Sequence, residues 1–175
     1  QVPRVKAKFT TDALANNLRN SQLGEAGLRR YAPSSSKVSY SPTLTGSVSD
    51  PSGYAPGLVS PGNTLTAAWV RQDDMVNLWF SLLVGASFNA GSGVWSLSLP
   101  VEANTTYGHI GTWRGTDSNT GNSCNGAAHL GSSTTAVFYY PATAPIGANT
   151  SVGHILPWTW ATGDTWTGHL SYLAA

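Results

Sequence analysis

Cysteine and charged residues are both scarce in this chain. Cys124 is the only cysteine among 175 residues, so no disulfide can form within the chain and a disulfide-stapled secreted scaffold is excluded. Only 10% of the residues are charged, against about 25% in an average domain. Glycine, serine, threonine and aromatic residues take their place. This composition favours short strands joined by turns over helices.

Long hydrophobic runs are also missing. No apolar stretch approaches the roughly 18 residues that a membrane-spanning helix needs. The opening sequence QVPRVKAKF lacks the apolar segment of a signal peptide. We therefore expect no membrane insertion. Hydrophobic residues still make up 41% of the chain, which is enough for the core of one domain of ordinary size.

The few charges are unevenly distributed along the chain. Residues 1–37 contain seven basic and two acidic residues, a net charge of +5, whereas residues 38–175 contain two basic and six acidic residues, a net charge of −4. A basic arm before a slightly acidic body is typical of a segment that docks on an acidic surface. The alternative is a solvated leader whose charge only keeps it in solution.

Residues 1–37 are predicted to form an extended arm with a short helix and a linker. Thr11 can cap the helix, in which Leu14 and Leu18 lie on one face, and residues 24–37 are rich in glycine, serine and proline, as linkers are. Because this segment cannot bury enough apolar surface to order itself, we expect it to order on a partner. The predicted assembly residues are its basic and apolar side chains: Arg4, Lys6, Lys8, Phe9, Leu14, Leu18, Arg19, Arg29 and Arg30.

Residues 38–175, called the head below, carry the strand signals. Thr64–Arg71 and Val76–Val84 predict a hairpin around a short polar turn. Trp79 and Leu83 predict that the second strand is central and covered on both sides. Opposite Trp79 and Leu83, the other face of that strand is apolar at every second residue: Val76, Leu78, Phe80, Leu82 and Val84.

Further strands are expected along the rest of the head: Val94–Val101, residues 107–114, Ala136–Tyr140, and a closing pair formed by Gly153–Trp160 and Thr165–Leu173. Residues 115–126 (GTDSNTGNSCNG) are too polar for a strand and predict a long loop. About seven to nine short strands predict a mainly β head, an antiparallel β-sandwich or jelly roll. Its predicted core includes Phe80, Leu82, Trp95, Leu97, Leu99, Trp160 and Leu170.

No local pattern indicates catalysis, a metal or a cofactor. The four histidines, at 109, 129, 154 and 169, have no metal-binding spacing, and Cys124 joins no CxxC pair. Asp73 and Asp74 lie between two strands, where aspartate is a turn residue, so they are not interpreted as an acid–base pair. The chain also lacks a Gly-x-Ser-x-Gly elbow and a phosphate-binding loop. We expect a protein that is not an enzyme, binds no cofactor and, because the head lacks a basic aromatic surface, has no nucleic-acid partner.

One aromatic and polar segment of the head fits sugar binding. Tyr107, Trp113 and Arg114 precede the polar stretch 115–126, and Asp117 lies within it. An aromatic ring packs on the apolar face of a sugar, while charged and amide groups bond its hydroxyls. This predicts a glycan contact at the four residues. The alternative, which we favour, is that Trp113 belongs to the core and the others only fill a loop.

Three segments of the head match the ordered motifs of a known family. They are Tyr40–Gly46 (YSPTLTG), Gly91–Val101 (GSGVWSLSLPV) and Pro157–Asp164 (PWTWATGD). Together they resemble the YxPTxTG, GSGxWxFSLPV and PFTWATGD motifs in the β-rich C-terminal domain of minor tail proteins, of the tail-fibre or tail-tip type, from tailed phages that infect actinobacteria. The basic leader is more weakly similar to the start of small phage tail proteins.

The resemblance implies a structural protein of the virion, assembled in the host cytoplasm and bound to other tail proteins through its arm. It also implies a homotrimer with exposed heads that contact host cell-surface glycan, and it transfers no catalytic residue. One alternative is a capsid decoration protein on the shell of the major capsid protein; another is a glycan-binding or glycan-cleaving tail module. Within the last motif, we expect Gly163 to adopt a positive φ and Asp164 to bond back to its turn.

Overall fold

The computed structural model describes residues 37–53, 55–56, 64–141, 149–155 and 157–175. Of the arm, only Lys37 falls within this part of the chain, so the short helix, the linker and the assembly residues from Arg4 to Arg30 lie outside the described residues. The described residues form eleven strands and no helix, which confirms the mainly β head. The strands are β1 (Val38–Tyr40), β2 (Leu44–Gly46), β3 (Ala55–Pro56), β4 (Thr64–Gln72), β5 (Met75–Leu83), β6 (Trp95–Ser98), β7 (His109–Thr116), β8 (Ser123–Ser132), β9 (Thr135–Pro141), β10 (Asn149–Ser151) and β11 (Thr165–Leu173).

All of these strands belong to one curled sheet. Its main path runs β1-β4-β5-β11-β7-β8-β9-β6-β2, with β3 beside β4 and β10 beside β9. Every neighbouring pair is antiparallel except β3 and β4. The strands β1 and β2 end this path on opposite sides, yet only Ser41–Thr43 separate them in the chain. The sheet must therefore curl until its two edges approach each other.

Ser98, at the end of β6, links the two edges of the sheet. Its hydroxyl lies 2.7 Å from the Tyr40 hydroxyl on β1 and accepts a hydrogen bond of 2.8 Å from the Thr43 amide. The Ser98 amide donates to the Thr43 carbonyl at 2.9 Å. Beside it, the hydroxyls of Thr45 on β2 and Ser96 on β6 are 2.7 Å apart. The Ser98 hydroxyl thus bridges β1 and the residue before β2, whereas the contact between Thr45 and Ser96 reinforces the ladder of β2 and β6.

The inner face of the curled sheet contains the core. Trp95 packs there against other rings: its centroid is 5.0 Å from that of Trp160, in a stacked arrangement, and 5.7 Å from that of Trp166. The strand β5 lies between β4 and β11. Its apolar face and the residue that follows the strand are buried as predicted: Val76, Leu78, Phe80, Leu82 and then Val84. The other predicted core residues are buried too: Trp95, Leu97, Leu99, Trp160 and Leu170.

The prediction of a long loop over residues 115–126 is wrong. The ladder between β7 and β8 extends to the pair Thr116–Ser123, so only residues 117–122 connect them. Glycines are strand residues here because aromatic rings and the neighbouring backbone occupy the space that a side chain would need. A Cβ on Gly115 would lie 3.0 Å from the Trp158 ring, and one on Gly126 would overlap the Tyr139 carbonyl oxygen and the indole nitrogen of Trp113.

Two further predictions about the strands are also corrected. Thr165–Leu173 is a strand, but it pairs with β5 and β7 and not with Gly153–Trp160. Pro157 has no amide hydrogen for a ladder, and Trp160 instead donates its indole N–H to the Gly153 carbonyl at 2.9 Å.

The prediction that β5 is covered on both faces is the second one corrected. The described residues leave the face of β5 that carries Trp79 uncovered, because one curled sheet has no second layer on its convex side; Trp79 is 37% exposed.

The turn before β11 is built around a buried carboxylate. Asp164 is the only buried charged residue in the described part of the chain, with 0% exposure. Its Oδ1 accepts hydrogen bonds from the amide and the hydroxyl of Ser118, at 2.9 and 3.0 Å, and its Oδ2 accepts one of 2.8 Å from the Ala161 amide. Gly163 adopts a φ of 94° in this turn, as expected.

Replacing Asp164 by alanine is expected to destabilise the head by about 2–4 kcal/mol, because it leaves the amides of Ser118 and Ala161 without their acceptor. Chemical unfolding followed by tryptophan fluorescence measures this loss. Asp117→Ala is the matched control: Asp117 also accepts the amide of Asn119, at 2.9 Å, but in an exposed turn where water replaces it. Equal losses for the two variants would contradict the role of burial.

Candidate functional site

The convex face of the sheet presents two parallel rows of side chains across five strands. They alternate with core residues along β4, β5, β11, β7 and β8, so they point outward. Four strand spacings of about 4.8 Å make this surface about 19 Å wide. The first row is Ala68, Trp79, His169, Thr112 and Ala127, and the second is Thr66, Ser81, Thr167, Arg114 and Asn125. We call these ten residues the outer platform.

The aromatic part of the outer platform is the pair formed by Trp79 and His169. Their rings are stacked, with centroids 5.0 Å apart and planes inclined by 16°. Lys37, just before β1, places its Nζ 5.2 Å from the centroid of the Trp79 ring, within cation–π range. In its row, Trp79 has the small Ala68 on one side and the His169 ring on the other, and its side chain is 37% exposed. His169 faces outward, as its alternation with Trp166 and Leu170 predicts.

The second row consists of exposed hydrogen-bonding side chains, and all five of its residues are exposed. The Thr167 hydroxyl makes only a long hydrogen bond of 3.5 Å, to the Arg114 carbonyl. Neither the guanidinium of Arg114 nor the side-chain amide of Asn125 has a hydrogen-bond or ion-pair partner among the described residues. A shallow trough of about 560 Å³ lies on this part of the platform, lined by Trp79, His169, Arg114 and Asn125 among others.

The structure does not bring the four predicted glycan residues together. Trp113 is only 3% exposed and donates its indole N–H to the Tyr139 carbonyl at 2.9 Å, so it belongs to the core and cannot serve as a stacking surface. Tyr107 precedes β7 and Asp117 follows it, which separates them by the length of a strand. Only Arg114 lies on the outer platform.

The Asp117 carboxylate is committed to its own turn. Its Oδ2 accepts the Thr120 hydroxyl at 2.8 Å, and its Oδ1 accepts the amides of Asn119 and Thr120 at 2.9 and 3.3 Å. The hydrogen bond from the Thr120 side chain holds the pKa of Asp117 below its usual range, against a smaller opposing effect of desolvation. Asp117 is therefore a turn residue that bonds its neighbours.

The remaining candidate groups do not form a reactive cluster within the described residues. No group of three or more His, Cys, Asp or Glu side chains there could hold a metal ion. The rings of His109 and His129 are 5.3 Å apart, edge to face, on β7 and β8. Burial raises the pKa of the Cys124 thiol, the opposite of what an activated nucleophile requires.

Sequence reasoning missed Trp79 as the centre of a surface, because a tryptophan within an apolar strand was interpreted as covered. A signal was present: Asn77 and Ser81 share the face of Trp79 at period two, and these polar residues favour an exposed face. The placement of Arg114 beside this ring depends on the pairing of β5, β11 and β7, which no local pattern specifies.

No family model, no curated protein and no solved structure matches the chain. The described residues contain no helix that could span a membrane.

Proposed function

We propose that the chain is a structural protein of a tailed-phage virion, of the minor tail or tail-fibre type. Its N-terminal arm attaches to other virion proteins, and its head is exposed and contacts the host surface. The proposal includes a homotrimer and a head without catalytic activity. It also includes a sandwich or jelly-roll arrangement, with which a curled antiparallel sheet around a shared core is compatible.

The observation that carries this proposal is the convergence of the three family-like segments. They are far apart in the sequence, yet Gly46 of the first pairs with Trp95 of the second, and Trp160 of the third stacks on the same Trp95 at 5.0 Å. The first and second segments are also joined by the hydroxyls of Tyr40 and Ser98, 2.7 Å apart. The three segments that resemble the family therefore pack together as one structural unit. This favours an architecture shared with the family over three separate chance matches.

The positions of the carboxylates support a binding role over a glycan-cleaving one. A glycosidase needs two carboxyl groups that face one substrate across a gap of about 5–9.5 Å. Asp164 is buried and accepts three hydrogen bonds, and Asp117 is held in its turn. Neither is part of the outer platform.

Immunogold labelling of phage particles that encode this chain tests the proposal. With an antibody raised against the head, we expect gold at the tail tip or tail fibres, since the family resemblance implies that location. Gold distributed over the capsid would favour the decoration alternative, and particles without label would contradict both. An antibody against the major capsid protein, applied to the same particles, controls for access.

A further inference from the structure

The charges that face the outer platform differ in sign from those of the head as a whole. The head contains two basic and six acidic residues, a net charge of −4, and Lys37, which directly precedes it, is a third basic residue in the described part of the chain. Arg71 pairs with Asp74 at 3.5 Å. The other two basic residues, Lys37 and Arg114, both lie at the platform, and none of the six acidic residues is a member of it. The platform is therefore a locally cationic surface on an acidic head.

Three kinds of group converge on this surface. The parts of the Trp79 and His169 rings that neither their mutual stacking nor Lys37 covers are exposed and offer apolar area against which a sugar ring packs. The row that starts at Thr66 and ends at Asn125 offers hydroxyl, amide and guanidinium groups for sugar hydroxyls. Arg114 adds a planar cation that bonds a carboxylate through two N–H groups.

We propose that the outer platform binds an acidic glycan, in which carboxylated and neutral sugars alternate. Lys37 reaches the Trp79 ring on β5, in the first row, whereas Arg114 lies on β7 in the second row, so the two cations belong to different strands and different rows of the platform. This arrangement fits a polymer that is not charged at every unit. The inference deepens the proposed function and rests on it for its setting at the host surface.

Charge density argues against a nucleic acid as the occupant. Duplex DNA carries one negative charge per about 1.7 Å of its axis, and proteins that bind it present clustered basic residues. Lys37 and Arg114, beside a head with a net charge of −4, do not meet that requirement. A sparsely charged polymer, bound mainly through its hydroxyls and ring faces, does not need more than two cations.

The test measures binding of two tetrasaccharides to the full chain by calorimetry and ligand-observed NMR. One alternates glucuronate with N-acetylglucosamine; the other is its carboxyl-reduced form. We expect the acidic tetrasaccharide to bind about tenfold more tightly, which is the effect of one charge-assisted contact. Trp79→Ala should weaken both ligands about tenfold, whereas Arg114→Gln should weaken only the acidic one.

Two matched variants control for side-chain type. Tyr107→Ala removes an aromatic side chain that is 61% exposed and lies outside the platform, and Arg71→Gln removes a cation outside it; both should bind like the parent chain. The inference is overturned if neither tetrasaccharide binds at millimolar concentration, if the reduced form binds equally well, or if the control variants lose as much affinity. These outcomes do not depend on where gold labels the particle, so a failure here and a failure of the proposed function can be told apart.

Discussion

Replacing Trp95 by alanine is expected to destabilise the head by about 3–5 kcal/mol, and with it the contact between the three family-like segments. The side chain is 0% exposed, stacks on Trp160, contacts the Trp166 ring and donates its indole N–H to the Ala90 carbonyl at 2.9 Å. Alanine would leave a cavity on the inner face of the sheet and remove the donor to a partly buried carbonyl, and both effects reduce the free energy of unfolding.

Chemical unfolding and thermal melting measure this effect, with a fall in melting temperature of about 10 °C or more expected for a domain of this size. Trp79→Ala is the matched control, because it removes the same side chain from the exposed face and should cost less than about 1 kcal/mol. Phe80→Ala should behave like Trp95→Ala, since Phe80 contacts the rings of Phe138 and Trp166. A Trp95 variant that melted within a degree or two of the parent would refute the assignment of the inner face.

The parts of the fold that local patterns encode were predictable. The hairpin of β4 and β5 has apolar alternation on one strand and aspartates between the two strands. Asp73 takes a φ of 53° there, a conformation that Asp adopts more readily than most residues. The core face of β5 followed from period two alone. The turn at Gly163 and Asp164 was also foreseeable from its residue types, although the partner of Asp164, Ser118, was not.

The strand β8 shows where local patterns fail. Its residues are mostly small or polar, and its hydrogen-bonded ladder depends on β7 and β9 on either side. Gly126 has no apolar side chain to signal a strand, because the Tyr139 carbonyl oxygen and the Trp113 indole fill the space beside it. The apolar signal for this part of the sheet is therefore carried by the neighbouring strand, and a search of one segment at a time cannot find it.

The candidate site was only partly predictable for the same reason. Arg114 was selected from the sequence with three residues that surround it in the chain, but its neighbours on the surface come from other strands: Thr167 and Asn125 are its register partners on β11 and β8. To predict which side chains share the outer platform, the order of the strands in the sheet must be known. The favoured alternative for Trp113 is confirmed, because this side chain lies in the core while Arg114, the next residue, points outward.

Deletion of residues 1–30 is expected to leave a folded head that no longer attaches to particles. Every described strand and every core residue lies at or after Val38, so the truncated chain retains all of the described core. The deleted segment contains six of the nine basic residues of the chain and the predicted apolar contacts from Phe9 to Leu18. Circular dichroism and melting of the truncated protein measure folding, and its content in purified particles measures attachment.

The control for charge is a full-length variant in which Arg4, Lys6 and Lys8 are replaced by glutamine. If the arm docks through electrostatic attraction, this variant should attach less than the parent chain, and attachment of the parent should fall as salt is raised, because exposed charges are screened beyond about 10 Å at 0.1 M ionic strength. If apolar contacts dominate, the glutamine variant should attach normally and only the deletion should abolish attachment. Normal incorporation of the deletion variant would identify the arm as a solvated leader, and anchoring would then have to be assigned to the head itself.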